Sequence, residues 1–394
     1  MKKLLLATVA SAAMATAVSA DDVKIGVFLG FTGPIESLVA QMGPGAEAAI
    51  AEVSASGSFM NGSTVTAIRA DTTCVDAGAA TAAAERLITS DKVSGIVGGD
   101  CSGVTTATLT NVAMPNGMVM ISPSATSPAL STIEDNGLFF RTAPSDARQG
   151  VVMSDIIMER GYNSVALTYT NNDYGKGLAD VYAAAVKAHG IKVTTVAAHE
   201  DGKADYSSEV GVLASAGGDA VAVIGYLDQG GKGIIQGSLD SGAFDTFILS
   251  DGMIGDSLTK AFGKDLNKSF GSLPGSTAKG AGVFANVAKA AGIDSSGPYT
   301  GESYDAGALI VLAMQAGNSA DRASIAKNVM DVANGPGTKI YPGELKKALD
   351  LLAKGKKIDY EGATGVTFTK VGEAEGSFLE KEIKGGKFKT KKQR

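Results

Sequence analysis

The residues of this chain that could grip a small charged molecule fall in short polar loops, each directly behind an apolar, β-branched run. Behind residues 95–97 comes Gly98-Gly99-Asp100-Cys101-Ser102-Gly103, and then a helical pattern. Ser102 falls where a helix start offers unpaired backbone N–H groups and a positive dipole end, which favours a carboxylate. Behind residues 118–121 comes Ser122-Pro123-Ser124-Ala125-Thr126-Ser127-Pro128. Its two prolines stiffen a loop that carries free amides and the hydroxyls of Ser124 and Thr126. Asn171-Asn172-Asp173-Tyr174-Gly175, Gly225-Tyr226 and Ser250-Asp251-Gly252 follow the runs 164–170, 220–224 and 246–249 in the same way. A tyrosine, flat and apolar with a polar tip, suits a lid over a small ligand, and Asp251 suits an ammonium group. Each segment also has a bland reading as a helix cap, a turn or a core-edge aromatic. Together they describe recognition of a zwitterion whose two charges are held by different loops.

Bond-breaking chemistry finds little support. A Ser or Cys nucleophile needs a base within reach, and His189 and His199 are the only histidines. Ser102 lacks a G-x-S-x-G elbow. Two His and two Cys in scattered contexts make no zinc set. Gly43-Pro44-Gly45 is no dinucleotide fingerprint and leads into an acidic helix. The expectation is a binding protein that is not an enzyme and uses neither metal nor cofactor.

The elements that must position these loops alternate between two kinds. Strand patterns cover residues 23–29, 64–70, 95–97, 118–121, 164–170, 220–224 and 246–249, and Ala-rich helical patterns cover 38–56, 79–89, 104–112, 151–159, 178–188, 207–214 and 233–239. Apolar runs without polar alternation suit strands buried on both faces, and strand–helix alternation implies right-handed crossovers and parallel sheets. The fold class is α/β. The alternation restarts, with one series from Val23 to about Ala143 and a second from about Ser164 to Leu249. The patternless Arg141-Thr142-Ala143-Pro144-Ser145-Asp146 reads as a hinge between two lobes. Helices near 278–291 and 303–316 and late strands near 366–369 and 378–383 follow. In open parallel sheets ligands collect at the carboxyl ends of strands, where the polar loops lie.

Composition sets the surroundings. Residues 1–20 read as a secretory signal peptide, with Lys2 and Lys3 before an apolar run and Val18-Ser19-Ala20 at the cleavage point; an uncleaved anchor helix is the other reading. A mature chain starting at Asp21 keeps 374 of the 394 residues, and losing two lysines moves the formal charge from −6 to −8. That balance speaks against nucleic acid as a partner. The lysine-rich end, residues 384–394, reads as a solvated tail. Cys74 and Cys101 are the only cysteines. In an exported protein they read as a disulfide, with two free core thiols as the alternative.

Five segments occur together in order: Phe31-Thr32-Gly33-Pro34, Cys74 with Cys101-Ser102, Ser122-Pro123-Ser124-Ala125-Thr126, Tyr174-Gly175-Lys176-Gly177 and Ser303-Tyr304-Asp305-Ala306. The ordered set resembles the leucine/isoleucine/valine-binding family of periplasmic receptors over essentially the whole mature chain. The resemblance implies two Rossmann-like lobes joined by three crossings, 21–143 with 275–375 and 144–274 with 376–394, closing on an amino acid. It implies that Ser102 grips the α-carboxylate, that Ser124 and Thr126 help hold the α-carboxylate and α-amino groups, that Asp251 pairs with the α-ammonium, and that Tyr174 and Tyr226 cover the ligand. It further implies a periplasmic monomer whose closed form docks on an inner-membrane ABC permease. The chain departs from the family at Asp100, where an apolar residue is usual, and at Met42, where a tyrosine is usual. Tyr299 stands where another pocket aromatic is expected. An unpaired Asp100 carboxylate in the wall would favour a polar or cationic amino acid, or broad specificity; the other reading turns Asp100 outward or makes it a cap. A receptor of the same fold for an amide, urea or small organic acid is the alternative function.

Overall fold

Residues 22–394 are described by the computed structural model, so the expected signal peptide and the expected start at Asp21 lie outside the described residues. The first sheet contains β1 (Asp22–Leu29), β2 (Thr64–Asp71), β3 (Gly95–Gly98), β4 (Met120–Ser122) and β5 (Phe139–Arg141). They lie in the order β2-β1-β3-β4-β5, every neighbouring pair parallel. Val27, Phe28 and Leu29, consecutive in β1, are all fully buried, as a strand covered on both faces requires. Helices Glu36–Ala55 and Thr300–Gly317 pack on this sheet and on each other. The second is almost wholly buried, with an unbroken apolar run from Ala308 to Met314, as a central core helix requires.

The second sheet starts with β6 (Ser164–Thr170), β7 (Lys192–His199), β8 (Ala220–Ile224), β9 (Phe247–Leu249) and β10 (Phe270–Pro274). The chain then returns to the first domain, where β11 (Thr338–Ile340) and β12 (Ile358–Tyr360) form a small parallel pair. It ends in β13 (Phe378–Lys384) and β14 (Lys387–Gln393), which complete the second sheet in the order β14-β13-β10-β9-β8-β6-β7. The chain thus crosses between the domains three times: after β5, after β10 and before β13.

Two expectations are corrected. The lysine-rich end is an ordered edge strand, not a solvated tail. Gly385 and Gly386, with φ of 62° and 73°, make the two-residue turn that brings β14 antiparallel to β13, because both central positions of such a hairpin need positive φ. The Arg394 guanidinium then reaches Glu380, fully buried, at 2.5 Å and Glu159 at 2.7 Å. The expected strand near 366–369 is only an isolated bridge, Phe368 with Ala374; no neighbouring strand lies beside it to form a ladder.

Candidate functional site

The carboxyl ends of β1, β3 and β4 are stitched together by side chains of their own exit loops. Asp100 is 2% exposed. Its carboxylate accepts from the Gly30 N–H at 2.5 Å, the Thr72 hydroxyl at 2.8 Å and the Cys101 N–H at 3.0 Å. Burial still raises its pKa above the usual carboxylate value, against those three hydrogen bonds. The Ser122 hydroxyl donates to the Gly99 carbonyl at 2.5 Å and accepts from the Ala125 N–H. Ser124 donates to the Asp100 carbonyl at 3.1 Å, and Ser102 Oγ accepts from the Ser127 N–H at 3.1 Å.

The Cys74–Cys101 disulfide, spanning 27 positions, fastens the exit loop of β2 to that of β3. Replacing both cysteines by serine is expected to lower unfolding stability by about 3–4 kcal/mol on the chain-entropy account. A urea titration of the double variant checks this, and an unchanged midpoint would remove the role.

The second domain supplies an aromatic and acidic wall. Tyr174 and Tyr226 stack with ring centroids 5.3 Å apart and planes 15° apart. The Tyr174 hydroxyl donates to Asp251 Oδ1 at 2.8 Å, and the Tyr299 hydroxyl donates to Asp251 Oδ2. Tyr299 precedes the helix Thr300–Gly317 in a left-handed conformation, φ 58°, so this bond spans from the first domain to the second. Burial pushes the Asp251 carboxyl above its ordinary value, and the two tyrosine hydrogen bonds hold it down in part.

These groups meet in one narrow cavity of about 20 Å³ between the domains. Asp100, Ser102, Ser124, Tyr174, Tyr226, Asp251 and Tyr299 all line it, with Ile35, Leu38 and Met42 as an apolar end. Thr126 is the one candidate that is not part of the wall. It is fully buried behind the loop, beside Asp146, whose N–H donates to the Thr126 carbonyl at 2.9 Å. Asp100 reaches the wall with both oxygens engaged by its own domain, so it is neither unpaired nor a reason for a cationic ligand side chain. Sequence reasoning missed Ile35 and Leu38, whose only signal was their place just after Gly33-Pro34, and it missed the buried Asp146.

The cleft is shut by further contacts across it. The Asp228 N–H donates to the Pro34 carbonyl at 2.9 Å, and Asp228 Oδ2 accepts from the Ser37 N–H at 2.8 Å. A second-domain carboxylate thus caps the first turn of the first-domain helix Glu36–Ala55. The histidines stand elsewhere. His199 is buried against Thr168, 2.8 Å from its hydroxyl, and burial lowers its pKa to about 4. His189 faces Asp155 on the surface. Among the described residues no group of three His, Cys, Asp or Glu side chains could hold a metal ion, and no helix is long and apolar enough to cross a membrane.

Comparison with known proteins gives a consistent picture. A family model described as periplasmic binding protein matches residues 22–347. The Leu/Ile/Val/Thr-binding protein of Salmonella typhimurium is 28% identical over 358 residues, covering 87% of this chain and 94% of that protein. An amino acid binding protein of Pseudomonas aeruginosa is 30% identical over 264 residues, covering 66% of this chain and 69% of that protein. Among solved structures, a leucine binding protein from Thermotoga maritima superposes with a TM-score of 0.78 at 22% identity, covering 94% of this chain and 98% of that one. A Rhodopseudomonas palustris solute binding protein in complex with 4-hydroxybenzoate reaches 0.76 at 16% identity, covering 95% and 97%. At such identities the structural matches speak for the fold.

Proposed function

The chain belongs to the periplasmic binding protein family, and from that premise we propose that it captures a free amino acid by clamshell closure and delivers it to an inner-membrane ABC permease. The observation that carries this reading is the split of charge complements across one cleft. Hydroxyls of Ser102 and Ser124 and loop amides come from one side, and the buried carboxylate of Asp251 under two tyrosines comes from the other. In the proposed roles Ser102 and Ser124 bind the α-carboxylate, Thr126 assists from behind the loop, Asp251 takes the α-ammonium, and Tyr174, Tyr226 and Tyr299 close over the ligand. Ile35, Leu38 and Met42 favour an aliphatic side chain, because burying apolar surface contributes about 25 cal/mol per Å². No bond is made or broken; closure is a population shift driven by contacts available only when shut. The protein acts as an exported, periplasmic monomer after loss of residues 1–20, with lobes 21–143 plus 275–375 and 144–274 plus 376–394. The sheet memberships support those limits.

A receptor for an aromatic acid is the competing reading, favoured by the fold shared with the 4-hydroxybenzoate complex. Asp251 opposes it, since a buried carboxylate repels an anion that brings no ammonium group. A thermal-shift and calorimetric panel of leucine, valine, threonine, arginine and 4-hydroxybenzoate decides between them. Amino-acid binding is expected, and exclusive binding of 4-hydroxybenzoate would overturn the proposal. Asp228→Ala removes a contact made only when the cleft is shut. It is expected to weaken ligand binding about 3- to 30-fold, the range of a lost helix cap, chiefly through faster dissociation seen in stopped-flow fluorescence. An unchanged off-rate would deny Asp228 this part.

A further inference from the structure

The basic hairpin that ends the second sheet has no part in the ligand cavity. Residues 380–394 hold six lysines and one arginine but only two acids, in a chain whose formal charge is −6. The hairpin is a firm platform. Phe378 and Arg394 exchange backbone hydrogen bonds at 3.1 and 2.7 Å, and the Gly386 N–H in the turn donates to Asn267 Oδ1 at 3.0 Å. Side chains two apart along a strand share a face, so Lys387 and Lys389 stand together, opposite Lys384 and Glu382. A register shift between Glu380 and Lys381 brings Lys391 and Lys392 to the same side, where they reach Glu380 at 3.4 Å and Glu159 at 3.1 Å. All five lysines are exposed. The nearby carboxylates are already taken: Glu382 by Lys384 at 2.6 Å, Glu380 by Arg160 and Arg394, and Glu159 by Arg394. Among the described residues Lys387 and Lys389 have no ion-pair partner, and the face keeps a surplus of positive charge. Lysines on an edge strand also keep it from pairing with another copy, a role that binds nothing.

We propose that this lysine face is a docking surface for an anionic lipid membrane, on which the protein rests reversibly. Nothing in this depends on which solute the cavity holds. The chemistry of the face favours lipid over protein. Lysine is a hydrated point charge on a flexible stem, suited to a fluid array of headgroup phosphates, whereas recognition of one anion in a fixed geometry uses the arginine fork. The arginines here are spent on Glu159 and Glu380. Phe388, the one aromatic of β14, turns to the other side with Ile383 and packs against the core. No apolar anchor therefore stands among the lysines, and lysine is depleted in protein–protein interfaces. Each lysine within a Debye length of an anionic surface strengthens attachment about fivefold. Under the proposed function, such attachment keeps the receptor in the thin layer where a permease can meet it.

Co-sedimentation of the purified protein with vesicles of phosphatidylcholine, alone or mixed with phosphatidylglycerol, tests this against protein spun without lipid. Binding to the anionic vesicles is expected at low salt, with its loss in about 1 M salt, where charges are screened beyond about 3 Å. Lys387→Gln with Lys389→Gln is expected to bind about 25-fold more weakly, about fivefold for each lysine. Lys354→Gln with Lys356→Gln, exposed lysines of the first domain, removes the same charge elsewhere and is expected to bind as wild type does. Absence of wild-type binding to anionic vesicles overturns the proposal, and is the result that lysines serving only to guard the strand edge would give. Equal binding to neutral vesicles, unchanged binding by the hairpin variant, or equal loss in both variants overturns it as well. Stronger retention on soluble polyglutamate than on anionic vesicles replaces the membrane with an acidic protein partner.

Discussion

Asp251→Ala is expected to weaken amino-acid binding by about 30- to 5,000-fold, with the protein still folded. Truncating one partner of a buried, hydrogen-bonded charge pair costs about 2–5 kcal/mol, and each 1.4 kcal/mol is tenfold in affinity. Asp251 is 3% exposed, so little water can replace it at the ammonium group. Its removal also strands the Tyr299 hydroxyl, which loses its bond across the cleft, while Tyr174 keeps Ser250. Calorimetry with leucine reads the loss, and 4-hydroxybenzoate serves as the contrasting ligand. Leucine affinity unchanged in the variant would take the ammonium site away from Asp251.

A substitution that removes no charge should be as severe for a different reason. Gly98→Ala is expected to cost about 3–5 kcal/mol of stability, at the upper end for single substitutions. Gly98 has φ +131°, and an ideal Cβ there would lie 2.0 Å from the Phe28 carbonyl oxygen. Side chains rarely tolerate that backbone, and here the obstacle is the neighbouring strand itself. Gly98 ends β3 just before Asp100-Cys101-Ser102, so any shift that relieves the clash also moves the loop proposed to hold the ligand carboxylate. Gly103→Ala is the control: a Cβ there meets nothing within 4 Å, and its place inside a helix makes alanine neutral or mildly stabilising. Urea midpoints of the two variants give the answer. A Gly98→Ala midpoint equal to wild type would show that the sheet yields where close packing forbids it.

Much of this architecture is written in local pattern. Unbroken apolar runs such as residues 23–29 and 220–224 demand two covered faces, and their alternation with helices leaves parallel sheets as the solution. The exit loops carry Ser102, Ser124, Tyr174, Tyr226 and Asp251 because strand ends are where polar residues and turns collect. Their meeting in one cavity follows from the topology of two sheets facing each other. The end of the chain differs from its expected state because its lysines suggest solvation, whereas the Gly385-Gly386 turn outweighs them by supplying a ladder partner for β13.

Composition and periodicity by themselves determined the fold class, the lobe count and the chemistry of the strand-end loops, since these are short-range properties of neighbouring residues. Only the tertiary structure decided what Asp100 does. Its partners Gly30 and Thr72 come from other strands' exits and turn an apparent specificity charge into a brace between loops. It likewise decided that Thr126 lies behind the wall and that Tyr299 reaches Asp251 across the cleft. The energy of a buried polar group depends on which distant atoms arrive beside it, and spacing along the chain carries no record of that.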